Sequence, residues 1–311
     1  MAQVSVIIPT HNRASILPKT LAAYVQQTAH DEILEIIVID DGSTDETPEV
    51  VSCIARSSRV HIVSVRQENR GQATARNRGI ERARAELVLL GDDDVIPKSD
   101  MVAEHLAWHA RYPDPSFAVV GSVFWSPEVH PTPLMKWWGL NGLRFDPPHM
   151  KAGHEVSYAA GLFLNTSAKV SFLRANGLFD ERFRQYGYED VELAYRLVKK
   201  GFHMIYNPDA VGFHYKRVSF SDMCRRVKTM AATPSLKIFE TTEAGMHYLQ
   251  SQERRRASQK YRLQKGLAQI VVPPLFFLKP LLDSQIPLPG FVYSAFLAYH
   301  GSLRGSGRSA F

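Results

Sequence analysis

The residues best suited to chemistry are acidic, and they sit where apolar runs end. Glu86-Leu-Val-Leu-Leu-Gly-Asp-Asp-Asp-Val-Ile-Pro97 carries a strand-like run into three consecutive carboxylates, Asp92, Asp93 and Asp94. Adjacent anions repel one another, and the arrangement becomes favourable when a divalent cation, itself bound to phosphates, supplies the opposing charge. A solvated acidic turn closed by Pro97 is the plain alternative. Two further acidic pairs accompany the triplet: Asp40 and Asp41 after a second apolar run, and Glu189 and Asp190 at the first turn of a helical pattern. The positive end of a helix dipole favours ionised carboxylates there, as a general base requires, and the same preference explains ordinary capping acids.

The elements that must position these residues alternate between two periods. Val4 to Pro9 reads as a buried strand, and Ser15 to Gln27 places Leu17, Leu21, Tyr24 and Val25 on one helical face. Leu34 to Ile39 is a second strand. Ser43 and Glu46 stand at capping-box spacing with Pro48 in the first turn, which predicts a helix over 44–55. Strand 60–65, helix 72–84 and strand 86–90 follow. This alternation argues for a parallel sheet, whose ligands lie at the carboxyl ends of strands, where Asn12, Asp41 and Asp92 fall.

Beyond the triplet the pattern predicts helix 101–111, strand 117–123 and a loop over 126–154. That loop is long enough to be functional, so Trp137 and Trp138 are either substrate contacts or packing residues. Strand 157–165, helix 168–175, an amphipathic helix over 189–200 and short strands 203–206 and 210–214 complete the α/β part. Helices over 220–230 and 244–269 follow, and then an apolar stretch interrupted by proline.

Six segments in order closely resemble family-two glycosyltransferases of the GT-A fold. They are Val4 to Arg13, Val38 to Asp45, Asn69 to Gly79, Leu90 to Asp94, Gly177 to Phe183 and Gly187 to Leu193, and the resemblance spans residues 3–215. It implies a Rossmann-like, mostly parallel sheet flanked by helices, in a domain over 1–218 with a nucleotide-sugar half (1–97) and an acceptor half (98–218). A C-terminal helical extension would occupy 219–311.

The resemblance also implies a reaction: sugar transfer from a nucleotide diphosphate donor with inversion, helped by Mn²⁺ or Mg²⁺. Pro9, Thr10, Asn12 and Arg13 match the start of the nucleoside pocket. Asp41 matches the contact to the base, which favours uridine or thymidine because a carboxylate accepts their imide N–H. Arg76 matches a nucleotide-lining position, with a fork suited to phosphate or base. Asp92 matches a ribose contact, Asp93 the variable middle position, Asp94 the metal ligand and His214 a further metal or phosphate ligand. Asp190 matches the catalytic base, with Glu189 beside it to position the acceptor, and Gly161 and Asn165 belong to the acceptor side. Gly91 departs from the pattern, since relatives often carry a larger residue there. The hydrophobic spans of processive synthases and their Gln-x-x-Arg-Trp motif are absent, which implies one sugar per encounter.

Composition narrows the partners. The formal net charge is +6. From His214 onward there are fifteen Lys or Arg against five Asp or Glu, so the excess basicity belongs to the tail. Such a tail suits an anionic membrane surface or an acidic partner, or simply a solvated helical face. Cys53 and Cys224 lie far apart in sequence, which suggests neither a disulfide framework nor a thiolate metal site. No basic leader precedes Val4, so a cytoplasmic protein is expected, peripheral at the inner face of the cell membrane. The expected partners are a nucleotide-sugar donor and a glycan or lipid-linked acceptor, with no nucleic acid. A nucleotidyltransferase would carry a Gly-rich basic loop after the first strand, where Pro9-Thr-His-Asn12 stands instead. A catalytically silent sugar-nucleotide-binding protein would not need Asp92, Asp94 and Asp190 together.

Overall fold

The structure is a computed structural model that describes residues 3–140, 150–160, 163–257 and 272–302. The first third of the chain alternates β1 (Val4–Thr10), α1 (Leu17–Val25), β2 (Ile33–Asp40), α2 (Thr47–Ser57), β3 (Ile62–Arg66), α3 (Gln72–Arg82) and β4 (Leu87–Gly91). Next come β5 (Val95–Pro97), α4 (Met101–Arg111), β6 (Phe117–Trp125) and α5 (Pro133–Trp138). After β7 (Asn165–Lys169), α6 (Val170–Asn176), α7 (Glu189–Val198) and β8 (His203–His214) the chain is helical: α8 (Phe220–Ala232), α9 (Pro234–Thr241), α10 (Glu243–Ala257) and α11 (Gly290–Ser302).

One eight-stranded sheet orders these strands β3-β2-β1-β4-β7-β6-β8-β5. The first four run parallel, as β-α-β alternation requires. β7 is antiparallel to β4 and β6 antiparallel to β7, and β5 pairs antiparallel with β8. The sheet is therefore parallel over β3-β2-β1-β4, with antiparallel pairs at β4–β7, β7–β6 and β8–β5. β1, β2 and β4 read as near-continuous apolar runs because both of their faces are covered. On one face Leu17, Leu21 and Tyr24 of α1 and Val51 of α2 pack on Val6, Ile8, Ile36 and Val38.

The sequence placed several boundaries differently. α2 starts at Thr47 without the expected capping box, because Ser43 Oγ instead accepts the N–H of Asn12. Asp45 takes over the helix start by accepting from the N–H and hydroxyl of Thr47. The strand expected over 157–165 begins only at Asn165, preceded by a 3-10 turn at Tyr158–Ala160. The two strands expected around Asn207-Pro-Asp are one strand. Pro208 is tolerated there because the ladder with β5 reaches only Gly212–His214, and its carbonyl accepts from Ser122 of β6. Within the expected loop 126–154, Thr132 caps a helix, α5, by accepting from the N–H of Met135.

The described residues fall into two compact units, 3–124 with 150–215, and 125–140 with 216–302. In the second, Trp125 Nε1 donates to the carbonyl of Met135, Trp137 lies against Tyr293, and Phe220 meets Phe296 edge-on. A capping box of Ser219 and Asp222 starts α8. Residues 258–269 of the helix expected over 244–269 lie outside the described residues. No helix among the described residues is long and apolar enough to cross a membrane.

Candidate active site

The carboxyl ends of β1 and β2 are tied together by Asn12. Its left-handed backbone (φ 54°) suits asparagine, and its Oδ1 accepts the N–H of Thr44 at 2.8 Å. Pro9 and Thr10 lie buried at the end of β1, where Thr10 offers its carbonyl to the N–H of Asp41. The Asp41 carboxylate shapes the next loop. It accepts from Gln67 Nε2 (2.7 Å) and from the N–H groups of Arg70 and Gly71 (both 2.8 Å). Three of its four acceptor positions are filled, which leaves one on Oδ2.

At the end of β4 the departure at Gly91 has a steric cause. A Cβ there would stand 2.7 Å from the hydroxyl of Tyr24, which is fully buried under the strand. Beyond Gly91, Asp92 Oδ1 accepts from Arg76 Nη2 (2.8 Å) and Gln72 Nε2 (3.0 Å). Asp93 is no solvent-facing spacer. It is 8% exposed, its carbonyl accepts from Thr20, and Arg13 Nε stands 3.3 Å from its carboxylate. Asp94 faces Arg13 Nη2 and His214 Nε2, each at 3.6 Å. The β5–β8 pairing brings His214 there, because its register sets Val95 opposite His214. Burial pushes Asp92 up to about 6, against the pull of Arg76, and pushes Asp93 up to about 7 with help from Asp94.

Among the described residues no three side chains form a ready-made metal cluster. Asp94 and His214 offer one oxygen and one nitrogen, an incomplete shell that fits Mn²⁺ or Mg²⁺ when phosphate oxygens supply the rest.

Arg76 joins this turn to α7. Its guanidinium, 1% exposed, donates through Nη2 to Asp92 and through Nη1 to Asp190 Oδ1 at 2.7 Å, while lying over the ring of Phe179. The fork that the sequence offered to phosphate or base is thus engaged by two carboxylates. Asp190 follows a turn in which Tyr188, a bulky aromatic, holds φ 75°, backbone strain of the kind found at functional sites. Glu189 is buried and accepts the N–H of Gly187. Burial, reinforced by Asp190, raises Glu189 to about 7. Burial also raises Asp190, opposed by Arg76 and by the N–H of Phe163. Desolvation thus works against the ionising effect expected from the helix terminus.

The remaining residues named from sequence fall elsewhere. Asn165 is buried in the sheet, with Oδ1 paired to His105 Nε2 and Nδ2 donating to the carbonyls of Ser122 and Ala210. Trp137 and Trp138 belong to the second unit, and Gly161 lies outside the described residues. Sequence reasoning missed Gln72, Gln67 and Tyr24. Gln72 sits inside the Asn69–Gly79 segment and was within reach, whereas Tyr24 carried only the signal of an apolar helix face.

Comparison with known proteins agrees with this geometry. Residues 5–168 match the family described as glycosyl transferase family 2. The validoxylamine A glucosyltransferase of Streptomyces hygroscopicus subsp. jinggangensis is 33% identical over 236 residues, 67% of this chain and 54% of that protein. A glycosyltransferase of Bacillus subtilis described as uncharacterized is 27% identical over 265 residues, 70% of this chain and 66% of that protein. The chain spans about half the length of the first of these curated relatives.

Two solved structures share the fold. The mannosyltransferase PcManGT from Pyrobaculum calidifontis, in complex with GDP-Man and Mn²⁺, is 23% identical with a TM-score of 0.55, covering 98% of this chain and 76% of its own. S. aureus TarS 1-349, in complex with UDP, is 16% identical with a TM-score of 0.55, covering 97% and 91%. With the GT-A architecture and the ordered strand-end motifs, the match over more than half of its length places this chain in glycosyl transferase family 2.

Proposed function

We propose that this chain is an inverting glycosyltransferase that moves a sugar from a nucleoside diphosphate donor to an acceptor hydroxyl. The observation that carries the reading is the meeting of Asp190 and Asp92 on one buried guanidinium, with Asp94 two residues further along the same turn and facing His214 at the end of β8. Asp190 takes the proton of the acceptor hydroxyl as that oxygen bonds to the anomeric carbon and the diphosphate departs from the opposite face. A carboxylate raised by burial is a stronger base than one in water, which suits this task. Asp94 and His214 would hold a divalent cation, which when bound offsets the charge on the departing diphosphate. Asp92 would meet the ribose. The single open acceptor position on Asp41 suits the one imide N–H of uracil or thymine better than the adjacent donors of guanine.

The acceptor class follows from the tail. The basic stretch after His214, with Ile286 and Phe291 exposed, supports an acceptor at an anionic membrane surface, such as a lipid-linked or cell-envelope glycan. A thermal-shift screen of UDP-, dTDP- and GDP-sugars with Mn²⁺ or Mg²⁺ tests the reading. A donor at a hundred times its Kd adds about 2.7 kcal/mol and raises Tm by several degrees. The Asp190→Asn variant should keep that shift and lose transfer by about a hundredfold or more. No shift with any nucleotide sugar, or full transfer by the variant, overturns it.

A further inference from the structure

We propose that Arg76 is a positioning residue whose guanidinium aims the Asp190 carboxylate and keeps it ionised, tied to the start of the acidic triplet, and is not a ligand of the nucleotide. The proposal deepens the glycosyltransferase reading and rests on Asp190 being the base. Arg76 leaves α3 with no face toward solvent. Nη1 is engaged by Asp190, Nη2 by Asp92, Nε is buried without a partner, and Cζ lies over the Phe179 ring, 5.4 Å from its centre. A phosphate reaching this group would have to break one of two short ion pairs around a guanidinium that is itself buried.

The charge balance points the same way. Asp190 faces Arg76 from α3, Glu189 from its own helix and Asp92 from the turn after β4, so three carboxylates share one cation. Phe163 adds a backbone N–H to Asp190. Without the guanidinium, a carboxylate this buried among like charges takes up a proton and loses the lone pair it needs as a base. The guanidinium plane also fixes which oxygen of each carboxylate is occupied. Asp190 is held through Oδ1, and Asp92 gives its Oδ1 to the same fork and to Gln72. Donor motif and base are thereby parts of one rigid unit.

The test uses Arg76→Gln and Arg76→Lys in the full chain without substrate. In each background the carboxyl infrared band that disappears with Asp190→Asn is followed against pH, and UDP and GDP affinities with Mn²⁺ are measured by calorimetry. Arg76→Gln should move the Asp190 midpoint upward by more than about one pH unit, a tenfold change in proton affinity. Arg76→Lys, whose ammonium engages one carboxylate at a time, should fall between. Nucleoside diphosphate affinity of Arg76→Lys, which keeps a cation beside Asp92, should stay within about twofold of the unsubstituted protein. An unmoved midpoint in Arg76→Gln, or an affinity loss of about tenfold or more in Arg76→Lys, overturns the proposal. If circular dichroism shows that Arg76→Gln does not fold, Arg76→Lys decides by the same two readings. If the unsubstituted protein binds no nucleotide and consumes no nucleotide sugar, the glycosyltransferase reading falls, while the infrared midpoint still answers for Arg76.

Discussion

At the scale of single residues, the contacts that decide this site are made by atoms whose partners are far away in sequence. Gly91 illustrates the point. Its lack of a side chain admits the Tyr24 hydroxyl, and a methyl group added there would sit 2.7 Å from that oxygen inside a packed core. Gly91→Ala should therefore cost about 1–3 kcal/mol in urea denaturation, and Tyr24→Phe in the same chain should recover part of it. Equal stability of Gly91→Ala and the parent would show that the turn yields freely. The types of the site residues were legible in the sequence, because carboxylates at strand ends announce themselves. Their partnerships were not. Nothing in the spacing of Asn69 to Gly79 says that Arg76 turns inward to Asp190, since that choice depends on how far α7 lies from α3 in three dimensions.

At the scale of elements, α4 is bound to the sheet by a directional chain of hydrogen bonds. His109 Nε2 pairs with Ser167 Oγ, Ser167 Oγ with His105 Nδ1, and His105 Nε2 with Asn165 Oδ1. Asn165 then donates to β6 and β8. With both imidazoles neutral and each donating from Nε2, every contact of the chain is satisfied. Burial lowers His105 to about 4 and, with Lys169 and His105 nearby, His109 to about 3. Because both folded values lie below the unfolded value, their stability contribution is complete above about pH 6.5 and falls as pH drops toward 4. The loss for each group is at most about 1.4 kcal/mol per pH unit. His105→Gln and His109→Gln should flatten the decline in urea-unfolding free energy between pH 7 and 5, and an unchanged slope would refute the assignment. The β-α-β alternation was legible because period 2 and period 3.6 differ clearly in long apolar runs. The start of β7 was not, because the short polar strand Asn-Thr-Ser-Ala-Lys is recruited by its neighbours rather than by its own pattern.

At the scale of the whole molecule, charge is distributed unevenly along the chain. The segment from His214 onward carries the surplus of Lys and Arg. Co-sedimentation with vesicles containing phosphatidylserine should therefore be measurable at low salt and fall steeply with added salt, while neutral vesicles bind little. Equal recovery with both kinds of vesicle, or with neither, would detach the acceptor proposal from the membrane. The sheet has a consequence of its own for how such a protein can diversify. The strand order changes from parallel to antiparallel at one seam, where Gly91 of β4 pairs with Asn165 of β7. The chain enters β7 beside the point at which it leaves β4, so the peptide leading into that strand arrives over Asp190, as the Phe163 N–H shows. That approach segment can be lengthened, shortened or exchanged without altering the register of β1 to β4. Under the proposed glycosyltransferase reading, a lineage can in this way inherit one donor platform unchanged and try new acceptors by splicing at a single joint.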